Sequence, residues 1–310
     1  MSKLTRRGLL GGGLAGIFAP TLSRASAAPK RSLRVAHMTD FHVQPELNAE
    51  KGMELALRHA LGQRPDLLLC GGDLVMDAVS QTEQRTTTEW AIFNRLIKAS
   101  GGIPTHYALG NHDVWGWNKK DSHTTGSELK WGKKWFLDNF GYASTYQSFD
   151  QAGWHFVILD NIWQTPDGFN GILGQEQLEW LDHDLAQTNK PTLLLSHIPL
   201  LSVTTFVDSY SENTGEWNVG GSDMTKDLDQ ARKLFEKHPH VKIALSGHEH
   251  RLDRVDYKGV SYLCSGAVCG NWWKGPLEGF PPGYRLLDLF HDGTFTERYV
   301  PWGWDESFLS

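Results

Sequence analysis

The sequence predicts an α/β fold. Three observations carry this expectation. Short apolar runs alternate with helical patterns along most of the chain. Several of those runs are apolar at every position, as strands covered on both faces are. The last two are joined by His291-Asp292-Gly293, a hairpin signal that makes the finish more antiparallel. The chain has 310 residues, enough to bury a sizeable core without disulfide or metal support. It shows no repeat and no long linker, so residues 29–310 are expected to form a single domain.

Taken in order, residues 33–38 are predicted as a strand and residues 50–61 as a helix, with Met53, Leu55, Leu57 and Leu61 on its apolar face. Residues 66–70 form a continuous apolar run and are predicted as a buried strand. Residues 88–99 are predicted helical through Trp90, Ile92, Phe93, Leu96 and Ile97. Strands are expected at 103–109, 154–159, 192–195 and 241–245, helices at 175–187 and 225–237, and three closing strands at 260–263, 284–290 and 294–300. Two stretches fit neither pattern. Residues 114–135 are polar and carry Trp115, Trp117, Trp131 and Trp135 with Lys119, Lys120, Lys133 and Lys134; residues 203–223 are rich in Ser, Thr, Asn and Gly. Loops this long are usually functional or disordered.

Residues 1–28 read as a targeting segment. Thr5-Arg6-Arg7-Gly8-Leu9-Leu10 sets an arginine pair before a mildly hydrophobic, glycine-rich stretch, and Ala25-Ser26-Ala27 offers a small-residue cleavage site. The pair resembles a twin-arginine export signal, which implies a periplasmic or secreted protein exported already folded. The apolar stretch is too short to span a bilayer, so no stable membrane anchor is expected after cleavage. The three cysteines, Cys70, Cys264 and Cys269, are an odd number; Cys264 and Cys269 could pair, but sequence does not settle connectivity.

Hydrophobic residues make up 40% of the chain and charged residues 21%, the balance of a soluble globular protein. A net charge of −6 gives no basic footprint for a nucleic-acid polymer, while a small phosphorylated substrate remains compatible with it.

The chemistry lies where strands stop. The predicted strands run into Asp40-Phe41-His42, Gly71-Gly72-Asp73, Gly110-Asn111-His112-Asp113, Ser196-His197 and Gly247-His248-Glu249-His250. In open α/β sheets ligands bind beyond the carboxyl ends of strands, so these turns should converge. Gly247 is expected to let the chain turn sharply, so that His248 and His250 aim into one pocket. Asp40, His42, Asp73, Asn111, His197, His248 and His250 are oxygen and imidazole donors. Together they suit two divalent ions about 3.5–4 Å apart, with one carboxylate shared because its two oxygens can each hold a cation. The lack of thiolates in the set favours Mn, Fe or Zn over softer ions.

In this order and context the motifs resemble the calcineurin-like metallophosphoesterase superfamily over about residues 33–265. The resemblance implies a four-layer α/β/β/α sandwich of two mixed sheets, with the metal site at strand C-terminal ends. It places one metal on Asp40, His42, Asp73 and His250 and the second on Asp73, Asn111, His197 and His248, with Asp73 bridging and Glu249 turned away. It implies hydrolysis of phosphate esters by a hydroxide activated between the metals. His112 would stabilise the transition state or protonate the leaving oxygen, and Asp113 would hold its imidazole in one tautomer. The motif forms are closest to bacterial cyclic-nucleotide and glycerophosphodiester phosphodiesterases, which favours diesters over the alternative of monoesters. Gly72-Asp73-Leu74-Val75-Met76 lacks the tyrosine of a purple Fe(III) site. A third alternative, a metal-binding recognition protein without catalysis, sits poorly with a complete set. Trp115 and Trp117 are candidates to stack a base or cover an apolar ester group. Residues 265–273 (Ser-Gly-Ala-Val-Cys-Gly-Asn-Trp-Trp) read equally as a packed turn or as a wall beside the substrate.

Overall fold

The first strand, β1 (Arg31–Met38), sends Leu33 and Val35 to one side and Ala36 and Met38 to the other, and all four are buried. That alternation explains the unbroken apolar runs: both faces of each central strand are covered. The computed structural model describes residues 30–309; the export signal expected at residues 1–28 lies outside them.

After β1 come α1 (Ala49–Gly62), β2 (Leu67–Cys70), α2 (Glu83–Lys98), β3 (Thr105–Tyr107), a short α3 (Lys119–Ser122) and α4 (Lys134–Phe140). The second half holds β4 (Gln147–Gln151), β5 (Trp154–Ile158), the hairpin β6 (Ile162–Thr165) and β7 (Gly168–Gly171), α5 (Gln175–Ala186), β8 (Thr192–Leu195), the small pair β9 (Tyr210–Ser211) and β10 (Glu216–Trp217), α6 (Leu228–Lys237), β11 (Val241–Ser246), β12 (Val255–Tyr257) and β13 (Val260–Cys264). The long β14 (Gly283–Phe290) and β15 (Phe295–Pro301) close the chain.

Two mixed sheets result. One runs β15-β14-β1-β2-β3, parallel across β1, β2 and β3 and antiparallel at β14 and β15. The other runs β12-β13-β11-β8-β5-β4, parallel across its four central strands with antiparallel edges. Leu33, Val35, Leu67 and Leu69 of the first sheet pack between the sheets against Phe156, Leu193, Leu195 and Ile243 of the second. Ala36, Met38, Leu68 and Cys70 face Met53 and Ala56 of α1 and Phe93 of α2. Leu194 and Ala244 face Leu181 of α5 and Phe235 of α6. Three apolar layers thus separate four layers of backbone, α/β/β/α.

Several elements differ from the sequence expectation. Helix α2 begins five residues early because Thr82 caps it, its hydroxyl accepting from Arg85 N; the polar first turn carries no apolar period to read. Helix α6 begins late because the Thr225 and Lys226 amides donate instead to the Pro199 and Gly171 carbonyls. Strand β4 was not expected: it is an edge strand, polar and only half-buried. Nor was the β6–β7 hairpin, although Thr165-Pro166-Asp167-Gly168 is a turn signal. All three cysteines are buried and free, so Cys264 and Cys269 do not pair.

Candidate metal centre

The turns after β1 and β2 continue as a parallel ladder beyond the sheet. Asp40 N donates to Gly72 O (3.0 Å), His42 N to Asp73 O (3.0 Å) and Val43 N to Leu74 O (3.3 Å). This pins Asp40 and His42 beside Asp73. The second sheet is tied to the first at the same place. His248 N donates to both carboxylate oxygens of Asp40 (3.1 Å each), and Val268 N and Cys269 N donate to Thr39 O and Asp40 O.

The residues singled out in the sequence gather into two groups. In the first, His42 Nε2 lies 3.1 Å from His250 Nε2 and 3.5 Å from Asp73 Oδ2, and His250 Nε2 lies 3.5 Å from Asp40 Oδ1. In the second, His197 Nε2 lies 3.1 Å from Asn111 Oδ1, 3.2 Å from His248 Nδ1 and 3.2 Å from Asp73 Oδ2. Asp73 belongs to both groups, through one oxygen only. Its Oδ1 accepts from the His112 amide at 2.8 Å, so the short contacts to both groups run through Oδ2.

The backbone fixes which imidazole nitrogens face inward. His197 Nδ1 sits 2.8 Å from Gly71 O, His250 Nδ1 2.6 Å from Gly270 O and His42 Nδ1 3.5 Å from Met76 O. A carbonyl accepts, so each Nδ1 carries the proton and each Nε2 turns a lone pair toward other acceptors. Converging acceptors are stable only around a cation. Where a proton is the only cation at hand, it takes that place: against burial, which disfavours the charged ring, the Asp73 and Asp40 carboxylates pull His197 up to about 9. His250 is likewise raised against its burial, with Cys269 and Asp40 beside it. Burial wins at His42 and His248, which fall to about 3 and about 4. The donor set, all nitrogen and oxygen, fits borderline divalent ions.

This convergence is held against local preference. Asp40, His42, Asp73, His248 and His250 have φ of 55°, 41°, 51°, 73° and 55°. Left-handed backbone costs a side-chain-bearing residue roughly 1 kcal/mol or more, and such strain concentrates at functional sites. Gly247 does not take a positive φ, contrary to the turn expected of it. It is needed for space: a Cβ there would stand 2.1 Å from Thr39 Oγ1 and 2.4 Å from Asp40 Oδ2.

His112 lies in a short 3-10 turn, its ring 4.7 Å from that of His42 and its Nδ1 2.6 Å from Met76 O. The Met76 carbonyl, rather than Asp113, therefore sets its tautomer. Asp113 has other partners: its Oδ1 accepts from Leu74 N (2.8 Å) and Val75 N (3.3 Å), and its Oδ2 from Gly110 N (2.9 Å). It clamps the Asp73 turn to the Asn111 turn. Burial and the Asp73 charge push its carboxyl up to about 8, against those amide donors. Glu249 makes none of these short contacts, but with Asp223 it brings a carboxylate oxygen within 4.8 Å of a His248 ring nitrogen; burial and the Asp223 charge raise it to about 7.

Some contributors carried no sequence signal. Met76 and Gly270 act through carbonyls that any residue would supply. The 265–273 stretch proves to be both packed turn and wall: Trp273 is wholly buried with its Nε1 donating to His42 O at 3.0 Å, and the Trp272 ring lies 4.6 Å from His250. Trp115 is buried with its ring edge-on to that of Trp135, and Lys133 pairs with Asp160.

Residues 33–252 match the calcineurin-like phosphoesterase family, and the chain belongs to that family. It is 29% identical over 286 residues to a 3′,5′-cyclic-nucleotide phosphodiesterase of Nostoc sp. (strain PCC 7120), covering 87% of this chain and 92% of the relative. It is 27% identical over 239 residues to the 3′,5′-cyclic adenosine monophosphate phosphodiesterase CpdA of Escherichia coli (strain K12), covering 74% and 72%. Among solved structures, a dimetal phosphatase from Danio rerio superposes with a TM-score of 0.62 at 14% identity, covering 88% of this chain and 98% of that one. A purple acid phosphatase from yellow lupin does so at 0.56 and 17%, covering 87% and 51%. These last two are likenesses of fold. The protein is a metal-dependent phosphoester hydrolase.

Proposed function

We propose that this chain hydrolyses small phosphodiesters with two divalent ions. One would be held by Asp40, His42, Asp73 and His250, the other by Asp73, Asn111, His197 and His248. The observation that carries this reading is the pair of acceptor groups meeting at Asp73 Oδ2. Bound divalent ions supply Lewis acidity and lower the pKa of water toward neutrality. The chain's own contribution is positional. Met76 O holds the Nδ1 proton of His112, so that its Nε2, when protonated, has a proton to give to a departing ester oxygen. The Asp113 clamp keeps His112 and Asp73 in register. The Trp272 ring lies against His42 and His250 and forms one side of the site.

Diesters are favoured over monoesters because both named relatives act on 3′,5′-cyclic nucleotides. The native ions are drawn from Mn, Fe and Zn. We further propose twin-arginine export and a periplasmic or secreted location, from the Arg6-Arg7 pair and the Ala25-Ser26-Ala27 site; changing both arginines to lysine should leave unprocessed protein in the cytoplasm, and normal processing of that variant would rule the route out. Assay of aryl monoesters, aryl diesters and 3′,5′-cyclic nucleotides, with each metal exchanged in turn, tests the catalytic reading. Diester turnover abolished by chelation and restored by metal is expected; faster turnover of monoesters would overturn the diester assignment.

A further inference from the structure

A cleft of about 820 Å³ opens beside the metal centre, between residues 79–80 and 117–119 on one side and the β6–β7 turn on the other. Its size is that of a small-molecule site. Both walls are attached to the centre. Phe169, in the lining, meets the His248 ring edge-on at 6.0 Å. The opposite segment hangs from His112: Ala78 N donates to His112 O (2.8 Å), and Gly116 N and Asn118 N donate to Ala78 O and Val79 O (3.0 and 3.1 Å). A substrate whose phosphate lies between His248 and His112 therefore has this cleft next to it for the rest of its structure.

The lining selects among ester groups. Trp117 and Phe169 bring aromatic surface from two separate segments, both half-buried and backed by the core. Ser80 and the exposed Gln164 bring a hydroxyl and an amide, groups that pair with donors and acceptors in one plane. Lys119 adds a positive charge and Asp167 a negative one, so the formal charges of the lining balance. A glycerol headgroup would leave the aromatic faces unfilled. A planar heterocycle with a polar edge satisfies all of them.

We propose that this cleft receives the nucleobase of the substrate, with Trp117 and Phe169 as stacking surfaces and Gln164 at the base edge, so that the enzyme prefers nucleotide diesters to base-free ones. The proposal rests on the phosphodiesterase reading above. Stacking of a base on an aromatic side chain strengthens binding by about tenfold or more, which sets the size of the effect to look for.

The test compares kcat/KM for 3′,5′-cyclic AMP with that for glycerophosphoethanolamine on the metal-loaded enzyme, for the unaltered chain and for Trp117→Ala, Phe169→Ala and Trp117→Phe. The ratio of the two values should fall about tenfold in each alanine variant, mainly through KM for the nucleotide, and Trp117→Phe should restore most of it. An unchanged ratio, or an unaltered chain that prefers the base-free diester, overturns the cleft assignment while leaving diester hydrolysis intact. Calorimetric titration with AMP and with inorganic phosphate reads the cleft apart from turnover. AMP binding more tightly than phosphate, by a margin that Trp117→Ala removes, supports the assignment even if neither diester is cleaved, in which case it is the catalytic reading that fails; equal affinities overturn the assignment.

Discussion

His197 Nε2 and Asn111 Oδ1 face each other at 3.1 Å, although the His197 proton is committed to Gly71 O on the far side of its ring. Asp73 Oδ2 and His248 Nδ1 lie beside them, each 3.2 Å from His197 Nε2, so four oxygen and nitrogen atoms converge at one point. Reconstituted with Mn, Fe or Zn in turn, the chain should hold about two ions by elemental analysis. Asp73→Ala should lose both ions and all activity, because Oδ2 serves both groups, whereas His250→Ala should weaken mainly one. Two tightly held ions in Asp73→Ala would refute the bridge.

The His112 ring stands 4.7 Å from that of His42, but its Nδ1 is held by Met76 O, and it is the amide, not the ring, that donates to Asp73. His112→Ala should therefore keep its metals and lose turnover, by about 10²–10⁴-fold if the ring donates a proton. The loss should be large for an alkyl leaving group and smaller for a nitrophenolate, which departs as a stabilised anion. Equal losses on both would assign the ring to holding phosphoryl oxygens, and loss of metal would make it a ligand.

Asp113 makes the contrasting prediction. Its removal strands the Leu74, Val75 and Gly110 amides, each a buried donor whose desolvation costs about 1–3 kcal/mol. Asp113→Ala should lower unfolding stability by about 3 kcal/mol or more in denaturant titration, while the leaving-group dependence of its residual activity matches that of the unaltered chain. A stable Asp113→Ala enzyme with the selectivity of His112→Ala would return Asp113 to the role of orienting the imidazole.

Far from the metals, His155 joins β5 to β4 and α5, its Nδ1 2.9 Å from Asp150 and its Nε2 2.8 Å from Asp184. Burial lowers its pKa, but the bonds to Asp184 and Asp150 outweigh that and raise it above 6.5. A raised pKa means stabilisation that is complete below the unfolded value near 6.5 and fades as pH climbs through the folded one. His155→Gln should cost about 2 kcal/mol at pH 6 and clearly less at pH 9, measured by urea unfolding at constant metal. A pH-independent gap would show that the ring is neutral in the folded protein.

The sequence made the site legible because its chemistry is carried by side chains at strand ends, and strand ends are readable where apolar runs stop. Asp40, Asp73, His197 and His250 could be placed without coordinates for that reason. What could not be read acts through the backbone or across the sheets. The Met76 and Gly270 carbonyls have no residue identity. The reassignment of Asp113 depends on amides of a turn some forty positions away in sequence. The role of Gly247 emerged only as a distance to Thr39, a residue of the other sheet. Strand β4 and the start of α2 were missed because their stabilisation is edge pairing and capping, neither of which leaves a hydrophobic period.

The split of donors between the sheets has a mechanical consequence. Asp40, His42, Asp73 and Asn111 follow strands of one sheet, and His197, His248 and His250 follow strands of the other, with 208 positions between Asp40 and His248. An ion shared among them is a cross-link closing a very long loop. Closing a 100-residue loop with a disulfide restricts the unfolded chain by about 4.7 kcal/mol in the chain-entropy account, and metal clips act by the same restriction. In a protein whose three cysteines are all free, ions held by these residues would take the part that disulfides play elsewhere, and chelation should sever that link between the sheets as well as halt hydrolysis.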